Sequence, residues 1–147
     1  MEATLKSARW IGTIAAFAIL GAAAAYSQPS ELRERMAIEE AKLIKDVGET
    51  NRVCGTALAV TFDWSGVKDG DLLKYSPRRF CYTALLGIQQ VCRDPSGKDA
   101  IKEKVKGVTC GFGAERKITL MDKVMYYKSD FDSTDIEFIY EYLENKL

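Results

Sequence analysis

The residues whose types and spacing could do chemistry in this chain of 147 residues are Cys54, Cys81, Cys92 and Cys110, and the acidic run Asp130-Phe131-Asp132-Ser133-Thr134-Asp135. The chain has no histidine. A Ser-His-Asp triad, a Cys-His dyad and a histidine-held zinc or haem therefore cannot be assembled within it. The cysteines lie 27, 11 and 18 residues apart. A four-thiolate zinc site normally uses close Cys-x-x-Cys pairs, so the even count points instead to two disulfides.

The acidic run admits two chemical readings. With Asp130 as the first position of a calcium loop, Asp132 falls third, Thr134 fifth and Glu141 twelfth, all oxygen ligands. Asp135 then holds the sixth position, where such a loop turns on glycine, and Glu137 the eighth, where it wants an apolar residue. Carboxylates ahead of a helix serve more simply as caps and dipole partners. Asp130, Asp132 and Asp135 could alternatively do the general acid/base work of a hydrolase. Nothing in the sequence separates a catalytic pair from ordinary surface charge, so the expectation is no cofactor and no metal, with binding favoured over catalysis.

Charge excludes further classes. Lys and Arg total 21, as do Asp and Glu, and only 29% of residues are charged. No nucleic-acid partner is expected of such a balance. Lys98, Lys102 and Lys106 fall four apart with Lys104 nearby, but Asp99 and Glu103 sit among them, which describes a solvated helix face better than an anion-binding stripe.

The N-terminus reads as an address. Lys6 and Arg9 precede an uncharged stretch from Trp10 to Ala25 that ends in small residues, the pattern of a secretory signal peptide. Cleavage is expected after Ala25, with the bond after Ser27 second and an uncleaved anchor as the alternative. Residues 1–25 carry Glu2, Lys6 and Arg9, so their loss leaves residues 26–147 as one domain with a net charge of minus one. Once the signal is removed, no stable membrane span is expected. Export to the periplasm or the extracellular space also suits persistent disulfides.

The elements that must position these residues follow from hydrophobic period. Leu32, Met36, Leu43, Ile44 and Val47 are helically spaced, predicting a helix from about Glu31 to Val47. Leu58, Val60, Phe62 and Trp64 alternate with polar or small residues, predicting a strand with one buried face. Ser76-Pro77 opens a second helix whose inward stripe is Cys81, Leu85, Ile88 and Cys92. Asp94-Pro95-Ser96-Gly97 breaks the chain before a third helix from about Asp99 to Lys106. Alternation at 108–112, 118–120 and 124–127 predicts three short strands, read as an antiparallel meander. A final helix follows, capped by Ser133 or Thr134, with Thr134 and Glu137 as a capping box. The expected fold is α+β in the order α-β-α-α-β-β-β-α: an antiparallel sheet of about four short strands, helices packed on one face, and two disulfides.

Helix geometry constrains the disulfides. Eleven residues of helix hold Cys81 and Cys92 about 16 Å apart, whereas bridged Cα atoms lie within about 7 Å. Both cysteines must therefore reach other elements. The return of the chain after Asp94-Pro95 favours Cys54–Cys92 with Cys81–Cys110, and the alternative is Cys54–Cys81 with Cys92–Cys110. On the last helix Phe138 and Tyr142 point away from the Ile136/Ile139/Leu143 stripe, which makes them partner-binding candidates unless that helix buries both faces. Trp64, Tyr126 and Tyr127 are expected to serve the core and the sheet face. The sequence thus leads to a small exported binding or interaction protein whose partner is an unknown protein or envelope component. A carboxylate-dependent hydrolase and a structural envelope protein are the alternatives.

Overall fold

The structure is a computed structural model that describes residues 23–130 and 135–147. The first helix, α1 (Ala23–Cys54), extends beyond the predicted Glu31–Val47 at both ends. Gly48 is exposed with open space around it, so it weakens the helix without ending it. The helix stops instead at Gly55, whose φ of +65° is the left-handed conformation that glycine adopts most readily. Thr56 N–H then donates back to Asn51 C=O at 3.1 Å, and the Asn51 side chain accepts from Leu58 N–H at 2.8 Å. That turn aims the chain into strand β1 (Ala59–Asp63).

A 3-10 turn (Trp64–Gly66) and helix α2 (Asp69–Lys74) lead to α3 (Arg78–Val91) and α4 (Pro95–Lys104). Helix α2 is an addition to the expected order α-β-α-α-β-β-β-α: it is only six residues long and contains Gly70, too short for an apolar period to mark it. Helix α4 starts four residues before the predicted Asp99, because Asp94 acts as its cap. The Asp94 carboxylate accepts from Gly97 N–H at 3.1 Å, and Pro95 occupies the first turn, where no N–H is needed. Strands β2 (Gly107–Phe112), β3 (Lys117–Met121) and β4 (Val124–Ser129) follow, and then helix α5 (Ile136–Lys146). Ser133 and Thr134, the predicted caps of the last helix, lie outside the described residues.

The fold is α+β, but the sheet is mixed and not antiparallel. Its order is β1-β2-β4-β3, with β1, β2 and β4 parallel and β3 antiparallel to β4. Alternation of apolar residues is the same in both kinds of sheet, so it could not distinguish them. Burial on the inward face agrees with the order: Met125 and Tyr127 of β4 are fully buried, whereas their partners on β3 are less so, Leu120 being half-buried and Ile118 8% exposed. The more buried strand takes the inner position, and β3 lies outside it. Asp122 and Lys123, with φ of 52° and 64°, make the mirror-image turn that closes this hairpin. The helices between β1 and β2 supply the crossover that a parallel pair requires.

Helices α3 and α5 pack against the sheet face that carries Phe62, Val108, Cys110, Ile118, Met125 and Tyr127, and α1 packs chiefly on α3. On α1, Glu39, Leu43, Asp46, Thr50 and Cys54 recur at three- and four-residue steps, and polar members of this stripe grip α3. The Glu39 carboxylate accepts from the Ser76 hydroxyl and from Arg78 N–H, so it caps α3, whose own N-cap residue makes no side-chain bond. Arg78 donates to both oxygens of Asp46, and Gln89 donates to the Thr50 hydroxyl at 2.7 Å. Disulfides join Cys54 to Cys92 and Cys81 to Cys110, with Cα separations of 5.3 and 5.2 Å. They stake one end of α3 to α1 and the other to β2.

Helix α5 crosses α3 at Gly87. A Cβ on that residue would lie 2.5 Å from Ile139 Cγ2 and 2.8 Å from Ile139 Cβ. Ile139 is fully buried and branched at Cβ, so it has no flexible end to move aside. Alanine at position 87 gains about 1 kcal/mol of helix propensity, but overpacking of this kind costs about 1–3 kcal/mol. Gly87→Ala is expected to lower stability on balance in urea unfolding, whereas Gly48→Ala, with no neighbour within 4 Å, is expected to raise it.

Candidate functional site

A second stripe of α1, turned away from α3, meets the edge of the sheet. Glu40, Leu43, Ile44 and Val47 form one wall of an apolar groove of about 540 Å³, and Val60, Thr61, Phe62 and Trp64 form the other. Ile44 is 72% exposed, the most open of the large apolar side chains among the described residues. Trp64 closes one end, where its indole Nε1 donates to Glu40 at 3.2 Å while its ring lies edge-on to Phe62 at 4.4 Å. Among the described residues Glu40 is the only ionisable one lining the groove.

Strand β1 contributes main chain as well as side chains. Ala59 N–H donates to Lys106 C=O of the β2 side at 3.1 Å, so residues 59, 61 and 63 face β2. By the alternation of a strand, Val60 and Phe62 direct their N–H and C=O groups the other way, along the groove. Among the described residues no strand pairs with that edge.

The opposite edge of the sheet is covered at one point by α5. Leu120 of β3 points its N–H outward and donates it to the Tyr142 hydroxyl of α5 at 2.7 Å. Phe138, one turn earlier on α5, lies under the Arg116 guanidinium at 4.2 Å. Tyr142 and Phe138 are thus both half-buried, and both are engaged with this edge or the loop leading into it.

Arg116 belongs to a buried polar network. Asp135, 3% exposed, accepts from Tyr127 Oη and Ser129 Oγ at 2.8 Å each and from Arg116 Nη1 at 3.0 Å. Burial alone would raise the Asp135 carboxyl, but the hydrogen bonds from Tyr127, Arg116 and Ser129 outweigh it and hold the group below its ordinary range. Tyr127 is pushed in the opposite direction, chiefly by its own burial. All of the Asp135 oxygens are occupied, so this carboxylate anchors the start of α5 to β4 and is not presented to a ligand.

The other site residues named from sequence are dispersed. Asp132 and Thr134 lie outside the described residues, and Glu141 is exposed on α5. Among the described residues no group of three acidic or sulfur side chains could hold a metal ion. Several carboxylates are bound by neighbours. Asp63 is held at about 2 by hydrogen bonds from Lys128, first, and then Ser65, and the Lys128 Nζ lies 2.7 Å away. In the lysine stripe, Lys102 pairs with Asp99 at 3.5 Å, Lys106 donates to Lys102 C=O, and Lys104 donates to the Leu147 carbonyl. The groove was not legible as a site, because Leu43, Ile44, Val47, Val60 and Phe62 read as ordinary core positions. Trp64 at the end of its strand was the available hint. No family model, curated protein or solved structure matches the chain.

Two outcomes follow from these contacts. Asp135→Asn should lose about 1.5–3 kcal/mol at neutral pH, since hydrogen bonds to a charged group are worth about that much. The lowered Asp135 carboxyl stabilises the fold above the unfolded-chain value of about 3.9 and stops doing so as pH falls through its folded value. Urea titrations at pH 7 and below pH 4 should therefore show the gap between wild type and variant narrowing in acid, and a constant gap would contradict this role. Tyr142→Phe leaves Leu120 N–H without its acceptor, which should cost about 1 kcal/mol and raise the tendency to associate through β3. Sedimentation velocity across a concentration series would detect that association.

Proposed function

We propose that this chain is a small exported, disulfide-stabilised binding module whose contact surface is the groove between α1 and β1. Export is supported by the signal-like composition of residues 1–25 and by the two disulfides, which persist in oxidising compartments. No described helix is long and apolar enough to cross a membrane.

The observation that carries the reading is the pairing of an open strand edge with an apolar wall in a single groove. A hydrolase of the carboxylate type needs two carboxyls facing one another across a cleft. This groove offers Glu40 alone. An apolar lining with one polar group suits recognition of an apolar segment, with the polar group setting its orientation.

Selection from a random peptide library tests this, with the Trp64 indole N–H signal in a nitrogen-15 spectrum as the groove's reporter. Selected peptides should shift that signal. Because Ile44 is exposed, Ile44→Asp should leave the melting temperature nearly unchanged while weakening binding about tenfold or more, the equivalent of losing one buried aliphatic contact. Peptides that bind with the Trp64 signal unmoved and are indifferent to Ile44→Asp would move the binding surface elsewhere.

A further inference from the structure

Resting on the groove as the binding surface, we propose that its occupant is an extended segment of a partner polypeptide. It adds to the free edge of β1 as a fifth strand, with apolar residues at alternate positions and a lysine or arginine placed at Glu40.

Main-chain geometry selects the extended form. Val60 and Phe62 offer two N–H and two C=O groups along the groove, spaced by one strand repeat of about 6.6 Å. A second strand carries donors and acceptors at that same repeat. An amphipathic helix has already satisfied its own main chain and would bury these four groups without partners. The wall opposite completes the match. Side chains on one face of an added strand would meet Leu43, Ile44 and Val47, and those on the other face would continue the outer sheet surface beyond Thr61. Strand β1 has five residues, so the segment it can pair is of similar length.

Charge narrows the partner. Glu40 stands at the Trp64 end of an otherwise uncharged lining, so a cation in the added strand meets its only opposite charge there. The sequence of β1, Ala-Val-Thr-Phe-Asp, contains an acid and no base. A second copy of this chain, paired edge to edge through β1, would bring Asp63 and no cation, so the complementarity favours a different chain. Tyr142 covers one outward N–H of β3, whereas among the described residues no strand pairs with β1 on its groove side, beside an apolar wall.

The test uses the full chain and three synthetic peptides. The first alternates valine and threonine over seven residues with lysine at each end, the second has glutamate in place of the lysines, and the third repeats the first with N-methyl groups on the residues that would bond β1. The lysine-ended peptide should bind and slow hydrogen exchange at the Val60 and Phe62 amides. N-methylation should weaken it about tenfold, and Glu40→Lys should reverse the preference for lysine over glutamate ends. If the N-methylated peptide binds equally well while Ile44→Asp still abolishes binding, strand addition is overturned and the groove stands. If the lysine-ended peptide leaves the Trp64 signal and both amides unmoved, strand addition is overturned, and the library selection decides the groove separately. Protection of Val60 and Phe62 on self-association without peptide would make a second copy the occupant and overturn the partner proposed here.

Discussion

Helix α3 is held covalently near both of its ends, at Cys81 to β2 and at Cys92 to α1, and most of the domain is arranged around that constraint. Each link closes a loop of chain, 29 and 38 residues in sequence separation, and contributes about 2–4 kcal/mol by restricting the unfolded state. The links also dictate orientation. Because Cys81 reaches the sheet and Cys92 reaches α1, α3 lies between them, and α5 packs beside it at Gly87. The polar grip of Glu39 and Asp46 on Ser76 and Arg78 holds the start of α3 along α1, at the end away from the Cys54–Cys92 link.

Fixing α1 along α3 has a consequence for its other face. A helix presents residues on all sides, and once Glu39, Asp46, Thr50 and Cys54 are committed to α3, Glu40, Ile44 and Val47 are turned toward the free edge of β1. The groove is thus a product of the disulfide framework. At the far side of the sheet, α5 uses Tyr142 to cover an outward N–H of β3. On the β1 side no described strand pairs with the edge, which gives the α1 groove its chemical character: apolar side chains beside open main chain.

Much of this architecture was legible in the chain. The alternation at 58–64 and at 108–127 placed four strands, and the Cys81/Leu85/Ile88/Cys92 stripe placed the core side of α3. Boundaries failed where a local signal had a second meaning or none: Asp94-Pro95 read as a break and is the start of α4, and the first helix runs past the expected Val47 to Cys54, where Gly55 ends it. The site was harder to see. Ile44 and Val60 look like core residues in any window of sequence, and they line a groove because no strand among the described residues lies beside β1 there. Asp135 illustrates the reverse case, an apparent member of an exposed acidic run that is buried because Tyr127 and Ser129 of β4 point inward to meet it.

The sequence by itself determined the four strands and every described helix but the short α2, which face of each is apolar, and that Cys81 cannot bridge Cys92, since these depend on periods of 3.6 and 2 residues and on the length of a helical turn. Tertiary structure decided the direction and order of the strands, the commitment of Asp135 to the interior, and the opening beside β1. These depend on contacts between residues far apart in the chain, and the period of a strand carries no information about which neighbour it will have, or whether it will have one.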